Sequence, residues 1–233
     1  DYPKSLTDFS SRNFKRKKQL FTGIPNLTLI TPSEWLANLV RGSFLKEYPV
    51  TVIHNGIDTT IFKPRLLEAQ ELRKKFCLEG KQVLLAVAAI WDQRKGLDDL
   101  LELSLKLKSY QQLVLIGLSK KQLNKLPKDI IGLTTTDSVE ELSTWYTLAD
   151  VFVNPTTQDN YPTTNLEAIA CGTPVVTYPT GGSIESTHMY GIVCSDRTVT
   201  SMLESLREVS HYKRNPDFNL SKEYFVENIL KLY

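Results

Sequence analysis

Two short segments carry side chains whose types and spacing suit chemistry on a phosphorylated or hydroxylated ligand. The first is Trp91–Gly96, in which Arg94 and Lys95 stand directly before a glycine. Two adjacent cations can neutralise a phosphate or a diphosphate, because a guanidinium forms paired hydrogen bonds and an ammonium supplies a compact charge. The alternative is a solvated basic turn in which Gly96 only allows the chain to change direction. Position alone does not separate these two interpretations.

The second segment, Asp159–Ala168, holds carboxylates at positions 159 and 167. Its polar, proline-containing approach leads into a predicted helix, whose first backbone N–H groups and dipole attract anions. Glu167 lies near the first turn of that helix, where its carboxylate could accept hydrogen bonds from sugar hydroxyls. Taken alone, however, Glu167 is better explained as a charge near a helix start, and Asp159 as a turn residue.

Several motifs that would indicate other chemistry are missing from the sequence. No Gly-x-Gly-x-x-Gly follows a strand, which weakens a nicotinamide-dehydrogenase interpretation, and there is neither a Walker loop nor a Gly-x-Ser-x-Gly elbow. The three histidines are scattered and the three cysteines form no close pair. That pattern favours neither a zinc site nor a disulfide framework, and it fits a reducing compartment. The net charge of +2 is too small for a nucleic-acid-binding surface.

The elements that must position the two segments alternate between strand and helix from residue 83 onward. Strands are predicted at Val83–Ala89, Leu113–Ile116, Ile130–Leu133, Val151–Asn154, Pro174–Thr177 and Gly191–Cys194. Helices are predicted at Gly96–Leu107, Ser138–Leu148, Asn165–Ala170 and Thr198–Val209. This alternation favours a parallel sheet covered by helices on both faces. Ligands of such sheets bind at the carboxyl ends of the strands, where both segments lie.

The first 60 residues cannot form a second domain of this kind by themselves. Leu27–Ile30 and Val50–Ile53 are predicted strands, and Thr31 is the predicted cap of a helix that runs to about Phe44. We interpret this region as the tail end of a neighbouring domain. The first methionine is Met189, so we expect the chain to be the C-terminal part of a longer protein.

Several segments, taken together and in this order, resemble the retaining glycosyltransferases of family four, which have the GT-B fold. The matching segments are Val52–Asp58 with Phe62–Pro64, Ala149–Pro155, Leu166–Val176 and Gly181–Glu185. The resemblance covers essentially the whole chain and implies an α/β protein of GT-B type. Its doubly wound, Rossmann-like donor domain would be 61–215, and 1–60 would be the C-terminal remnant of the acceptor domain plus the hinge. Residues 216–233 would add a C-terminal helix that packs on the donor domain or crosses back to its neighbour.

The resemblance also implies roles for individual residues. In that family an Arg and a Lys after the first donor-domain strand hold the diphosphate without a required metal. Lys95 matches the Lys, whereas the usual position of the Arg falls near Ile90, so Arg94 is the candidate for that role. Glu167 matches the carboxylate that holds the ribose hydroxyls. Asp159 stands where the family has a Glu that contacts the donor sugar.

Further contacts to the donor are implied around these four residues. Thr163, Thr164 and Asn165 fall where the family's backbone amides approach phosphate and sugar, and Tyr161 and Pro162 precede them. The base should lie near the ends of two adjacent strands, where the candidates are Leu118, Ser138 and Val139. His54 does not match the acceptor-site histidine of the family, and we interpret it as a turn residue.

The implied activity is transfer of a sugar from a uridine or guanosine diphosphate sugar to a glycan or lipid-linked acceptor, with retention of configuration. Positive side chains and helix amides would stabilise the leaving diphosphate, so neither a protein nucleophile nor a cofactor is expected. The product would belong to polysaccharide biosynthesis. The alternatives are a non-catalytic nucleotide-sugar-binding or scaffolding module, and another GT-B enzyme such as a sugar phosphorylase.

One charged run stands outside these motifs. Arg12–Lys18 contains five cations in seven residues. We favour a solvated helix face, and the alternative is contact with an anionic membrane surface. The longest apolar run, Val83–Ile90, is far shorter than the roughly 18 residues of a membrane span. We therefore expect a cytoplasmic protein, placed at the inner face of the membrane if the second interpretation holds.

Overall fold

The computed structural model describes residues 8–209, 212 and 220–232. In these ranges the strands are β1 Leu29–Thr31, β2 Val50–Val52, β3 Gln82–Val87, β4 Gln111–Ile116, β5 Ile131–Leu133, β6 Val151–Asn154, β7 Val175–Thr177 and β8 Gly191–Val193. The α-helices are α1 Ser10–Phe21, α2 Glu34–Arg41, α3 Leu66–Lys75, α4 Leu97–Ser104, α5 Lys120–Leu123, α6 Val139–Leu148, α7 Thr163–Ala170, α8 Ser183–Thr187, α9 Val199–Val209 and α10 Lys222–Leu230. A short 3-10 turn, Gln93–Lys95, separates β3 from α4.

Six strands form one parallel sheet in the order β5-β4-β3-β6-β7-β8. The chain builds outward from β3 to β5 on one side, then returns to the centre and builds outward from β6 to β8. The loops that leave β3 and β6 therefore diverge, and a crevice opens between them at the carboxyl edge. The predicted doubly wound, Rossmann-like sheet is confirmed.

Both faces of this sheet are buried, as the unbroken apolar sequence of β3 predicts. Side chains alternate along the strand, so Val83 and Leu85 enter one apolar cluster while Leu84 and Ala86 enter the other. The first cluster includes the large side chains of α6 and the second the inward faces of α4 and α9. The sheet is thus a rigid support for the loops at its carboxyl edge.

Strands β1 and β2 form a second, two-stranded sheet, and helix α2 packs with them. Both predicted strands are present; β1 and β2 pair in parallel, and α2 follows β1. The predicted cap of α2 is wrong by two positions: the Ser33 hydroxyl accepts a hydrogen bond from the Leu36 N–H at 3.1 Å. Thr31 cannot cap the helix because it belongs to β1, where it lies opposite Val52. The helix ends at Arg41 rather than Phe44.

Helix α6 begins where the sequence predicts. The Ser138 hydroxyl accepts from the Glu141 N–H at 3.1 Å, which is one half of the capping box that a Ser-x-x-Glu sequence can form. The Glu141 carboxylate accepts from the Asp137 N–H at 2.7 Å instead of from the N–H of Ser138. Both bonds fix the start of α6 at the carboxyl edge of the sheet.

Helix α10 contacts the segment that leaves β2. Ile57 and Ser221 form a parallel bridge, in which the Ile57 N–H donates to the Leu220 carbonyl at 2.8 Å and the Lys222 N–H donates to the Ile57 carbonyl at 2.9 Å. A cavity of about 490 Å³ lies between 51–56 and α10. The predicted domain boundary at residue 215 lies outside the described residues. None of the described helices is long and apolar enough to span a bilayer.

Candidate functional site

The residues selected from the sequence lie on loops at the carboxyl edge of the six-stranded sheet. Arg94 and Lys95 follow β3, Leu118 follows β4, Ser138 and Val139 follow β5, and 159–167 follows β6. Because β3 and β6 are neighbours at the point where the strand order reverses, Lys95 and Asp159 meet. The Lys95 Nζ lies 2.8 Å from the Asp159 Oδ2, and these side chains are 29% and 18% exposed. A partly buried ion pair therefore stands in the crevice.

The backbone around Lys95 is held by specific contacts. The Asp92 carboxylate accepts from the N–H groups of Arg94 and Lys95 at 3.0 and 3.2 Å. Gly96 has φ of 71°, and a Cβ at this position would lie 2.4 Å from the Pro155 carbonyl oxygen. The Thr157 N–H also donates to the Arg94 carbonyl at 2.8 Å. Gly96 thus allows the loops after β3 and β6 to pack against each other. Its role goes beyond the turn that the sequence offered as the alternative interpretation.

Arg94 does not point to the same place as Lys95. Its Nη2 and Nε lie 2.8 and 3.1 Å from the Asp92 Oδ2, and its side chain is 54% exposed. Burial works against ionisation of Asp92, but the hydrogen bonds and charge of Arg94 outweigh it, and the pKa of Asp92 is lowered. The two cations therefore hold different carboxylates, and the expected pair of adjacent phosphate-binding cations is not assembled here.

Glu167 is fixed by a residue that sequence reasoning missed. The Tyr146 hydroxyl, on α6, donates to the Glu167 Oε2 at 2.8 Å. Burial raises the pKa of Glu167 above its ordinary value of 4.5, although hydrogen bonds from Tyr146 and Thr163 oppose the shift. Burial, together with the charge of Glu167, also raises the pKa of Tyr146. Since a carboxylate has about four lone-pair positions, Glu167 can accept further hydrogen bonds while Tyr146 holds it.

Asn165 differs from the expectation that its amide faces a ligand. The residue is fully buried, and its backbone N–H donates to the Pro162 carbonyl at 3.2 Å. Its Nδ2 donates to hydroxyls of α8 at 2.9–3.2 Å, namely those of Ser183, Ser186 and Thr187. The reason is that α7 begins at Thr163, two residues earlier than predicted, so Asn165 already lies inside its first turn.

The other predicted contacts of α7 divide into exposed and buried residues. Thr163 is exposed and Thr164 half-buried, and they are the first two residues of the helix. N–H groups at these positions have no acceptor within a helix, so they suit an anion. Pro162, at the cap position, is buried.

Tyr161 is also buried, and one face of its ring is covered by His54. The two rings stack with centroids 4.8 Å apart and planes 10° apart. Burial and the nearby charge of Glu185 raise the pKa of Tyr161 to about 12. The interpretation of His54 as a turn residue omitted this contact, which joins the segment after β2 to the loop after β6.

The three residues proposed near the base lie at the same edge but differ in exposure. The Leu118 side chain is 2% exposed, and its N–H donates to the Leu133 carbonyl at 3.1 Å. The Ser138 hydroxyl is the cap of α6, whereas Val139 is 48% exposed. Leu118 is therefore a core residue, because its side chain packs into the space that Gly132 leaves on the neighbouring strand. Ser138 and Val139 are both exposed, but the Ser138 hydroxyl already accepts the capping hydrogen bond.

The described residues contain no group of three or more His, Cys, Asp or Glu side chains that could hold a metal ion. Positive charge at this edge comes from Lys95 and Arg94 and from the N–H groups at the start of α7.

Comparisons with known proteins agree on one family. The model of the family "Glycosyl transferases group 1" matches residues 81–211. The α-galactosylglucosyldiacylglycerol synthase of Streptococcus pneumoniae is 24% identical over 91% of this chain and 60% of its own length. Its name is that of a synthase of a glycosylated diacylglycerol. Across the first curated relatives, this chain spans between 29% and 60% of their length.

Solved structures share the fold. Sucrose-phosphate synthase from Thermosynechococcus elongatus superposes with a TM-score of 0.79 at 18% identity, over 98% of this chain and 63% of that one. HepE from Anabaena, in complex with UDP-glucose, gives a TM-score of 0.72 at 16% identity, over 96% of this chain and 68% of that one. Since the family model spans more than half of the sequence, and includes Lys95, Asp159 and Glu167, this chain belongs to the group 1 glycosyl transferases.

Proposed function

We propose that this chain carries the donor site of a glycosyltransferase that uses a nucleotide-diphosphate sugar and retains the configuration of the transferred sugar. The observation that carries the proposal is the meeting of Lys95 and Asp159 at the switch point of the sheet, in a chain of this family. In this proposal 61–215 is the donor-binding domain, 1–60 is the end of the acceptor domain plus the hinge, and 216–233 is a C-terminal helix.

The proposed chemistry follows from where charge develops. Breaking the bond between sugar and diphosphate places negative charge on the leaving phosphate and oxocarbenium character on the sugar. The Lys95 ammonium and the N–H groups of Thr163 and Thr164 would stabilise that negative charge from fixed positions. Arg94 would add to it after leaving Asp92. No side chain of the chain needs to act as a nucleophile, and the proposed positive charge does not depend on a metal ion.

The two carboxylates would hold the sugar rings of the donor. Glu167, fixed by Tyr146, is placed to accept hydrogen bonds from the ribose hydroxyls. Asp159 would accept hydrogen bonds from hydroxyls of the transferred sugar, and the diphosphate would take over its partner Lys95. Asp is one methylene shorter than the Glu of the family pattern, so the identity of the donor sugar is left to experiment.

The comparisons support a choice of first ligand and acceptor class. HepE is seen with UDP-glucose, and the Streptococcus relative is named for a diacylglycerol-linked glycolipid. We therefore propose a uridine or guanosine diphosphate sugar as donor and a glycan or lipid-linked acceptor, in polysaccharide or glycolipid synthesis. A lipid acceptor would place the chain at the inner face of a membrane, where helix α1 could contact anionic lipid.

Titration calorimetry with a panel of uridine and guanosine diphosphate sugars tests the proposal. We expect at least one member to bind, and Lys95→Ala and Glu167→Ala to weaken that binding about tenfold or more, as for loss of a charged hydrogen bond. Lys106→Ala is the matched control, because Lys106 follows α4 at the opposite edge of the sheet and pairs with Glu102 in solvent. A folded wild-type chain that binds no member of the panel would contradict the proposal.

A further inference from the structure

Glu185, on α8, reaches a helix that lies 150 residues earlier in the sequence. Its Oε2 accepts from the Glu34 N–H and its Oε1 from the Trp35 N–H, both at 2.8 Å. These are the first two residues of α2, where the helix dipole favours a negative charge and the N–H groups lack helical acceptors. The carboxylate therefore holds α2 by two charge-assisted hydrogen bonds, next to the one that Ser33 makes.

The loop before Glu185 lies close to both α2 and the loop after β6. At Gly182, a Cβ would lie 2.9 Å from the Ser33 Cβ and 1.7 Å from the Asn160 carbonyl oxygen. The Gly182 N–H donates to the Asp159 carbonyl at 3.0 Å. The two loops thus pack backbone against backbone, with the Ser33 side chain at the start of α2 against them, and a movement of one displaces the others.

A second chain of contacts leads from Glu185 to the start of α7. The three hydroxyls that Asn165 binds all belong to α8, the five-residue helix that carries Glu185. Asn165 in turn lies within the first turn of α7, beside Thr163 and Thr164. Buried hydrogen bonds therefore connect the helix start that Glu185 holds with the helix start that is proposed to hold phosphate.

The same two parts of the molecule also meet at His54. Its ring stacks on Tyr161, and its Nδ1 lies 3.0 Å from the Pro32 carbonyl oxygen, just before α2. The loop after β6 is thereby in contact with the β1–α2 connection through His54 as well as through Gly182.

We propose that Glu185 is a positioning residue, which holds α2 against the loop after β6 and so fixes Asp159 for the transferred sugar. The carboxylate does not itself touch the donor. This inference rests on the proposed function in assigning Asp159 to the sugar, but the coupling between α2 and the loop stands on the contacts above. Loss of Glu185 should therefore reduce the contribution of the sugar to donor binding more than that of the nucleotide diphosphate.

Amide hydrogen exchange of the whole ligand-free chain tests the coupling directly. In Glu185→Gln an NH₂ group replaces one acceptor oxygen and the charge is lost, and in Glu185→Ala both acceptors are lost. We expect the amides of Glu34 and Trp35 to exchange about tenfold faster in both variants, and amides within 157–161 to exchange faster as well. Glu204→Gln is the control, because it removes an exposed carboxylate from the surface of α9 and should change neither segment.

Affinities for UDP-glucose and for UDP, measured on the same proteins, test the positioning role. We expect the ratio of the two affinities to fall in the Glu185 variants, with the affinity for UDP nearly unchanged. Faster exchange at Glu34 and Trp35 without any change in 157–161 would reduce Glu185 to a helix cap and overturn the proposal. A wild-type chain that binds neither these ligands nor the wider panel would contradict the proposed function, while the exchange result would still decide the coupling.

Discussion

Asn165 connects β6, α7 and α8 through its side chain, and this determines what its loss should do. Its Oδ1 accepts from the Asn154 Nδ2 at 2.8 Å, and its Nδ2 donates to hydroxyls of α8. Each of these groups is buried. The Ser183 and Ser186 hydroxyls keep other hydrogen bonds. Removal of Asn165, however, takes away the partner of the Asn154 Nδ2 and of the Thr187 hydroxyl. Such atoms are expensive to bury, at about 1–3 kcal/mol each.

We therefore predict that Asn165→Ala lowers the free energy of unfolding by about 2–3 kcal/mol in urea titrations. Asn124→Ala, at an exposed position after α5, is the matched control and should stay within about 0.5 kcal/mol of the wild type. Normal stability combined with lost donor binding in Asn165→Ala would instead restore the role in ligand contact that the sequence suggested.

Glu167 should give stability a dependence on pH. Its pKa is raised in the folded chain, so between the ordinary value of 4.5 and the higher folded value the folded state binds more protons than the unfolded state. Stability must then fall as the pH rises through that window, because ionisation in the buried site is unfavourable. The Glu167→Gln variant cannot ionise and should lack this loss.

Urea titrations from about pH 4 to about pH 7 would measure the difference between wild type and Glu167→Gln. We predict that this difference shifts in favour of the variant as the pH rises. In Tyr146→Phe the hydrogen bond that lowers the pKa of Glu167 is lost, so the fall should extend to higher pH. A difference that is flat across the range would contradict the raised pKa.

At the scale of residues, the positions of the site side chains could be predicted from the sequence, but their hydrogen-bond partners could not. Lys95, Asp159 and Glu167 could be placed at one edge because each follows a recognisable strand. Tyr146 and Glu185 could not be assigned their partners, since their hydrogen bonds cross 21 and 150 positions of sequence. No local pattern marks a tyrosine within an apolar helix as the residue that fixes a distant carboxylate.

At the scale of elements, periodicity and end signals predicted most of the structure. The strands of the large sheet appear within a few residues of their predicted positions, because each is a short apolar run bounded by polar residues. Helix α3 was missed for a physical reason: only Ala69 and Leu72 are buried, so no apolar stripe marks it. It is held instead by Arg73, whose guanidinium donates to the carbonyls of Leu78, Lys81 and Leu148.

Helix α1 carries the cationic run that the sequence associates either with solvent or with an anionic membrane surface. Its contacts show which side of the helix is available for a membrane. It has no buried residue, and Phe14 makes an edge contact with Phe44 at 5.3 Å between ring centroids. With about 3.6 residues per turn, Arg12 and Arg16 lie opposite Phe14, about 160° around the helix, and Lys15 lies at its side, about 100° around. A cationic face directed outward suits anionic lipid as well as water.

We predict that the chain sediments with phosphatidylcholine vesicles that contain phosphatidylglycerol, and not with phosphatidylcholine alone. Lys15→Gln combined with Arg16→Gln should weaken that binding by about 2 kcal/mol, at about 1 kcal/mol for each charge near the surface. Lys106→Gln with Lys108→Gln removes two cations from another surface and is the control. The solvated helix face would be favoured if the two double variants sedimented equally, or if the wild-type chain did not sediment with either kind of vesicle.

At the scale of the whole molecule, the last described helix lies against a segment from the first part of the chain. Helix α10 pairs with Ile57, so the last described segment lies against the connection between the two sheets. The sequence predicted a C-terminal helix and left two surfaces open for it. Backbone hydrogen bonds join this helix to Ile57, a contact that no side-chain pattern encodes. Any change in the relative position of the two sheets must therefore move α10 as well.

A pair of substitutions at Lys222 can measure what this contact contributes. Lys222 is the first residue of α10, a position that accepts proline, and Ser221 already has the extended backbone that proline requires of its predecessor. Lys222→Pro removes both the N–H that donates to the Ile57 carbonyl and the ion pair with Asp58. Lys222→Ala removes the ion pair alone. We predict that the proline variant unfolds in urea with about 1 kcal/mol less free energy than the alanine variant, the contribution of one backbone hydrogen bond. If the two variants unfold alike, the hydrogen bond from the Lys222 N–H to the Ile57 carbonyl adds nothing, and α10 is held by side-chain packing and by the bond between the Ile57 N–H and the Leu220 carbonyl.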